Sequence, residues 1–152
     1  MQKLFADRIS HCRQYIGWSA AWGICLAARL HDRDQAQMII NRFLGHAVFK
    51  NLFCVHPPKL FQIDGNLGFV AAVHEMLIYE ENGVLELLPA LSENIPDGSV
   101  KNLLVNSAEI SFAWKNGKII SIHSDKGITV LSKNLSEDVK RNDNIFIKES
   151  IL

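Results

Sequence analysis

Apolar positions in the first half of the chain recur at intervals of three and four, the spacing of helices that bury one side. Trp18, Trp22, Cys25, Leu26 and Arg29 mark the first stripe. Asp32 followed by Gln35 is a capping-box-like start for the next helix, whose stripe is Ala36, Ile39, Ile40, Phe43, Leu44 and Ala47. After a loop rich in Pro and Gly, a third helix is expected from about Asn66. It carries Phe69, Val70, Val73, Met76 and Leu77 on one face and stops at Asn82-Gly83.

Beyond Gly83 the period shortens to two. Val84 to Leu88 reads as a short strand, and Pro96-Asp97-Gly98 as the turn before the next. Ile110, Phe112 and Trp114 alternate with Ser111 and Ala113, which predicts a half-buried strand. A three-residue loop over Lys115-Asn116-Gly117, with Gly117 left-handed, sets Phe112 opposite Ile120 and Ile110 opposite Ile122. A two-residue Asn116-Gly117 turn sets Phe112 against Ser121, so the apolar pattern favours the longer loop. The tail from Ser132 is polar, with Asn144 to Lys148 as a last strand. The expected fold class is therefore α then β, with a helical part over 1–83 and a small antiparallel β-domain over 84–152. Three amphipathic helices without a covering layer are expected to belong to a larger helical assembly, because an apolar stripe needs a partner.

Composition narrows the functions open to such a chain. Its 152 residues are 48% apolar and 21% charged, with 16 Lys and Arg balanced by 16 Asp and Glu, which suits a globular protein. With no net charge there is no long-range field to draw in a polyphosphate or an anionic bilayer, so nucleic acid and membrane are not expected partners. The uncharged run from Tyr15 to Ala28 is shorter than the roughly 17 to 25 apolar residues of a membrane span. Lys3, Arg8 and Arg13 precede it, but Asp7 interrupts the basic region and the apolar part starts late, unlike a signal peptide. Cys12, Cys25 and Cys54 lie in or near apolar segments, as reduced buried thiols do. Cys54 and His56 share a Cys-x-His spacing with no second pair to complete four ligands, so no metal site is expected.

Candidate chemistry gathers between residues 51 and 68, where a long connection carries His56, Gln62, Asp64 and Asn66. Each of these side chains makes directional hydrogen bonds. Asp64-Gly65-Asn66 is equally an ordinary turn and helix-cap sequence. His56, Gln62 and Asn66 either bind hydroxyl groups or hold the loop. Trp18 either stacks on a flat ligand face or joins the helix core, where tryptophan at helical spacing usually sits. Glu75 reads as a solvated glutamate rather than an acid catalyst.

The order and spacing of several stretches add to this reading. Gly17-Trp18-Ser19-x-x-Trp22, Ala28-Arg29-Leu30, Asn51-Leu52-Phe53-x-x-His56-Pro57-Pro58, Phe61-Gln62-Ile63-Asp64-Gly65-Asn66, Leu87-Leu88-Pro89-Ala90-Leu91 and Pro96-Asp97-Gly98-Ser99-Val100 together resemble the C-terminal part of glycoside hydrolase family 95, the α-L-fucosidases. The resemblance covers about residues 16–127. It implies the last helices of an (α/α)6 barrel followed by a C-terminal β-domain, and hydrolysis of terminal fucosyl linkages in the complete enzyme. The chain departs from the family pattern by inserting Lys59 and Leu60 before the Phe-Gln-Ile-Asp stretch.

Glycosidic hydrolysis needs a proton for the leaving oxygen and an activated water or nucleophile at the anomeric carbon. The resemblance implies an inverting variant in which a side-chain amide contacts the water and a carboxylate polarises that amide. Asp64 matches that carboxylate, at a loop-to-helix junction whose backbone N–H groups suit a negative charge. Trp18, His56, Gln62 and Asn66 are the implied substrate-binding positions. The family's general-acid glutamate and paired asparagines match no position of this chain, so an upstream barrel segment is an implied partner beside a fucosylated glycan. No cofactor is implied. Family members are often exported, and the N-terminal pattern assigns no compartment. The rival reading is a non-catalytic carbohydrate-binding or structural module.

Overall fold

The computed structural model describes residues 3, 4, 7, 16–56 and 59–149. Readings placed on Arg8, Cys12, Arg13, Tyr15, Pro57 and Pro58 lie outside the described residues. The chain divides into two compact units, Met1–Leu77 and Ile78–Leu152.

Between residues 16 and 77 the first unit has the helices α1 (Gly17–Arg29), α2 (Arg33–His46) and α3 (Ile63–Leu77), with a two-stranded hairpin of β1 (Val55–His56) and β2 (Leu60–Phe61) between α2 and α3. The Asp32 carboxylate caps α2 by accepting from the Gln35 N–H at 3.0 Å, as the capping pattern predicts. On α2 the buried positions are Ala36, Ile39 and Phe43, while Leu44 stays 49% exposed.

Helix α1 differs from expectation. Its buried face is Ala20, Ala21, Ile24, Ala27 and Ala28, whereas Trp18 and Trp22 are 52% and 39% exposed. The stripe of large residues is therefore not the core side, because small residues let α1 and α3 approach closely. A Cβ on Gly68 of α3 would stand 3.0 Å from the Ala21 Cβ. Phe69 of α3 stacks on Phe43 with ring centroids 4.6 Å apart.

Helix α3 begins three residues earlier than the pattern suggests and ends at Leu77 rather than at Asn82-Gly83. Ile78-Tyr79, residues that favour strands, open β3 (Ile78–Glu81), which pairs antiparallel with β4 (Val84–Leu87). Asn82 and Gly83 both have positive φ, 53° and 78°, and form the two-residue turn of this hairpin rather than a helix stop.

Among the described residues the second unit holds two four-stranded sheets. The remaining strands are β5 (Gly98–Val105), β6 (Ala108–Lys115), β7 (Lys118–Ser124), β8 (Ile128–Leu131), β9 (Leu135–Arg141) and β10 (Ile145–Lys148). The sheet orders are β10-β8-β4-β3 and β5-β6-β7-β9. The antiparallel β-domain expected from sequence is mixed instead, since β4–β8, β8–β10 and β7–β9 pair in parallel. Alternation on β6 buries Ala108, Ile110, Phe112 and Trp114.

The β6–β7 turn also departs from expectation. Lys115 pairs with Lys118 across a two-residue turn whose Asn116 and Gly117 have φ of 50° and 70°. A bulge then leaves Ile120 unpaired and 40% exposed, which brings Phe112 opposite Ile122. The apolar match is reached by a bulge in β7 and not by a longer loop. Pro96 and Asp97 brace this turn, the Asp97 carboxylate accepting from Asn116 N–H at 2.7 Å and the Pro96 carbonyl from Gly117 N–H at 2.8 Å. At Gly98 a side chain would strike the Trp114 ring, so only glycine fits there.

Candidate active site

The connection from residue 47 to 62 is held by its own backbone. Val55 N–H donates to the Ala47 carbonyl at 2.8 Å, and Phe49 N–H to that of Phe53 at 2.8 Å. In the hairpin Val55 faces Phe61 and His56 faces Leu60, so Lys59 and Leu60 fall in its turn and return strand. Gln62 N–H then donates to the Cys54 carbonyl at 3.0 Å, delivering the chain into α3.

Asn66 fixes this hairpin to α3. Its Oδ1 accepts from Cys54 N–H at 2.7 Å, and its Nδ2 donates to the Leu52 carbonyl at 2.9 Å. Both ends of the amide are thus spent on the backbone of residues 52 to 54, where Leu52 takes the left-handed φ of 66°. Beneath the strap, the wholly buried Cys54 packs where Gly17 of α1 and Gly65 of α3 meet. A Cβ at either glycine would collide with the Cys54 sulfur, and at Gly65 it would also stand 3.0 Å from the Gly17 carbonyl carbon. Two helix N-termini and one strand consequently converge at this point.

That junction places Asp64 and Trp18 beside the two touching glycines, at the starts of α3 and α1. Asp64 is exposed in the first turn of α3, where unpaired N–H groups give a positive end. Burial pushes the Cys54 thiol above its ordinary value, the backbone at Val55 pulls it back in part, and the Asp64 charge adds to the rise. Cys54 is therefore a protonated packing group rather than a nucleophile. Gln62 is half-buried, and its Oε1 is enclosed with no hydrogen-bond partner among the described residues. His56 is half-buried on β1.

Trp18 is not a core residue of this chain; its ring is open to a ligand or a covering element. Phe53 and Phe61, read in the sequence only as parts of the family stretches, form an exposed aromatic pair with centroids 4.9 Å apart at the base of the hairpin. Glu75 lies away from this end of α3 and makes a double contact with Arg29 of α1, at 2.6 and 2.9 Å. It acts as a helix-to-helix ion pair. Among the described residues no three His, Cys, Asp or Glu side chains gather as metal ligands.

The arrangement presents a carboxylate, an amide and an imidazole on a braced hairpin and helix start, flanked by exposed aromatic rings. Such a surface can orient hydroxyl groups and polarise a neighbouring amide; it supplies no partner acid across a bond to be cleaved.

Comparison with known proteins bears on what this surface serves. Residues 1–77 match the family model for the glycosyl hydrolase family 95 catalytic domain. Alpha-L-fucosidase 2 of Arabidopsis thaliana is 35% identical over 117 residues, which cover 68% of this chain and 14% of that protein. Probable alpha-fucosidase A of Aspergillus oryzae is 25% identical over 129 residues, covering 74% of this chain and 18% of its own length. The chain thus spans less than one fifth of these relatives.

Proposed function

The chain belongs to glycosyl hydrolase family 95, and on that premise we propose that it forms the C-terminal portion of an inverting α-L-fucosidase, one side of whose active site it carries. In this reading the helical unit, residues 1–77, completes an (α/α)6 barrel and residues 78–152 form its β-domain. An upstream barrel segment supplies the general acid and the amide that contacts the attacking water. Asp64 polarises that amide, while His56, Gln62 and Trp18 contact the sugar. Asn66 acts on substrate through the hairpin that it straps.

The observation that carries the proposal is the position of Asp64, exposed at the start of α3 next to a hairpin held in place by Asn66. A carboxylate so placed meets a group brought from outside the chain without moving its own backbone, which is what electrostatic preorganisation requires. The exposed rings of Trp18, Phe53 and Phe61 favour a second reading, a carbohydrate-binding or assembly module without turnover.

Joining the chain to the upstream portion of a family relative separates the two. The proposal expects hydrolysis of an aryl α-L-fucoside by the joined protein, with β-L-fucose as the first product by NMR, and none by the 152-residue chain alone. A joined protein that folds and binds fucosyl glycans yet releases no fucose supports the module instead.

A further inference from the structure

The sheet β5-β6-β7-β9 has a concave patch of its own, wholly within the second unit. Its volume is about 360 Å3, and small side chains, Ser111, Ala113 and Ser121, leave the floor low. Around that floor stand Lys101, His123, Lys140 and Arg141, and no Asp or Glu lines the patch. None of the four makes an ion pair with a carboxylate among the described residues. The balance is local, because residues 78–152 as a whole carry more acidic than basic side chains.

Two irregularities in the sheet put cations there. The β5–β6 ladder shifts between Val100 and Leu103, and Lys101 falls in that bulge beside Asn102, whose φ is 55°. Asn102 is held by Ser111, whose Oγ accepts from its N–H at 3.0 Å. On the other side, β9 leaves the ladder after Leu135 and rejoins it with Lys140 opposite Ser121. Bulges of this kind re-aim side chains, and here two of them turn lysines toward one floor.

We propose that this patch binds a sulfate ester carried on an oligosaccharide. Lys101 from β5, His123 from β7 and Lys140 from β9 approach from three strands, with Arg141 next to Lys140 on the edge strand, which suits the three terminal oxygens of a sulfate better than the two in-plane oxygens of a carboxylate. Ser111 is engaged with Asn102, and Ser121 offers a neutral hydrogen bond for a sugar hydroxyl. The lining holds no Trp or Tyr and its one phenyl ring, Phe112, is 2% exposed, so recognition rests on charge and hydrogen bonds. That the sulfate is borne by a glycan rests on the glycosidase reading above; the cationic patch itself does not.

The test uses the 152-residue chain tethered at low density to a sensor, with a sulfated hexasaccharide, its desulfated counterpart, a uronic-acid hexasaccharide and a short DNA duplex as probes. Binding to the sulfated probe is expected, weakening with added salt and vanishing on desulfation. The pair Lys101→Gln and Lys140→Gln should weaken it roughly tenfold, while the charge-matched pair Lys50→Gln and Lys148→Gln changes it less than about twofold. Equal loss in both pairs, no binding of the sulfated probe, or equally tight binding of the uronic-acid probe or the duplex overturns the proposal. Turnover is not read in this assay, so an inactive joined enzyme would count against the fucosidase reading and leave this result standing.

Discussion

Cys54 shows how a single side chain dictates its neighbours. Its sulfur fills the place where a methyl group on Gly17 or Gly65 would lie, so both positions must be glycine while Cys54 stays. Gly17→Ala should destabilise the chain by about 1–3 kcal/mol, as overpacking does, and Cys54→Ala in the same chain should recover part of the loss. Gly65→Ala should not be rescued, because the Gly17 backbone remains 3.0 Å from the new methyl. Urea melts followed by circular dichroism at one low protein concentration give the comparison. Asn66→Ala removes two hydrogen bonds from partly buried backbone and should cost about 1–3 kcal/mol. It should also speed alkylation of Cys54, read by peptide mass mapping, since the strap that covers the thiol is gone. The run from Phe61 to Asn66 read from its residue types as a turn and helix cap or a binding loop, and the family resemblance singled out Asp64 within it. The grip of Asn66 on Leu52 and Cys54 was not, because it joins residues 12 and 14 positions apart through backbone groups that every sequence shares.

Among elements, the helices were readable from their spacing and the capping of α2 from Asp32 and Gln35. The side that α1 buries was not, because alanine and glycine score as weakly apolar while their small size decides which helices touch. The large residues Trp18 and Trp22 stand outside instead. In the strands, Asn82-Gly83 and Asn116-Gly117 carry one dipeptide signal with two sequence readings, helix stop or hairpin turn, and the structure makes both hairpin turns. The bulge at Ile120 escaped notice because its cause, the pairing of Phe112 with Ile122, lies across the ladder. Gly117 has φ of 70°, so Gly117→Ala should cost about 1–2 kcal/mol, the ordinary penalty of a left-handed L-residue. A melt unchanged by that substitution would contradict the two-residue turn.

At the scale of the molecule, the first unit exposes Trp18, Leu52, Phe53, Leu60, Phe61, Ile63, Leu67 and Val70, each more than half open to solvent. On the proposed reading these large apolar side chains are the surface that the rest of the barrel covers. The isolated chain is therefore expected to self-associate, and sedimentation velocity should show mass rising with concentration; a monodisperse, cooperatively melting monomer would contradict a covered face. On the proposed reading the acid partner of Asp64 lies on an upstream segment, so the 152-residue chain alone is expected to give no turnover. In the protein completed with an upstream barrel segment, Asp64→Asn keeps the size of the side chain and removes its charge. If Asp64 polarises the amide that contacts water, kcat on an aryl α-L-fucoside falls by about a hundredfold or more with KM little changed, a loss of roughly 2.7 kcal/mol in the barrier. If Asp64 only caps α3, asparagine serves as well, and a kcat within about threefold of the parent would contradict the catalytic assignment.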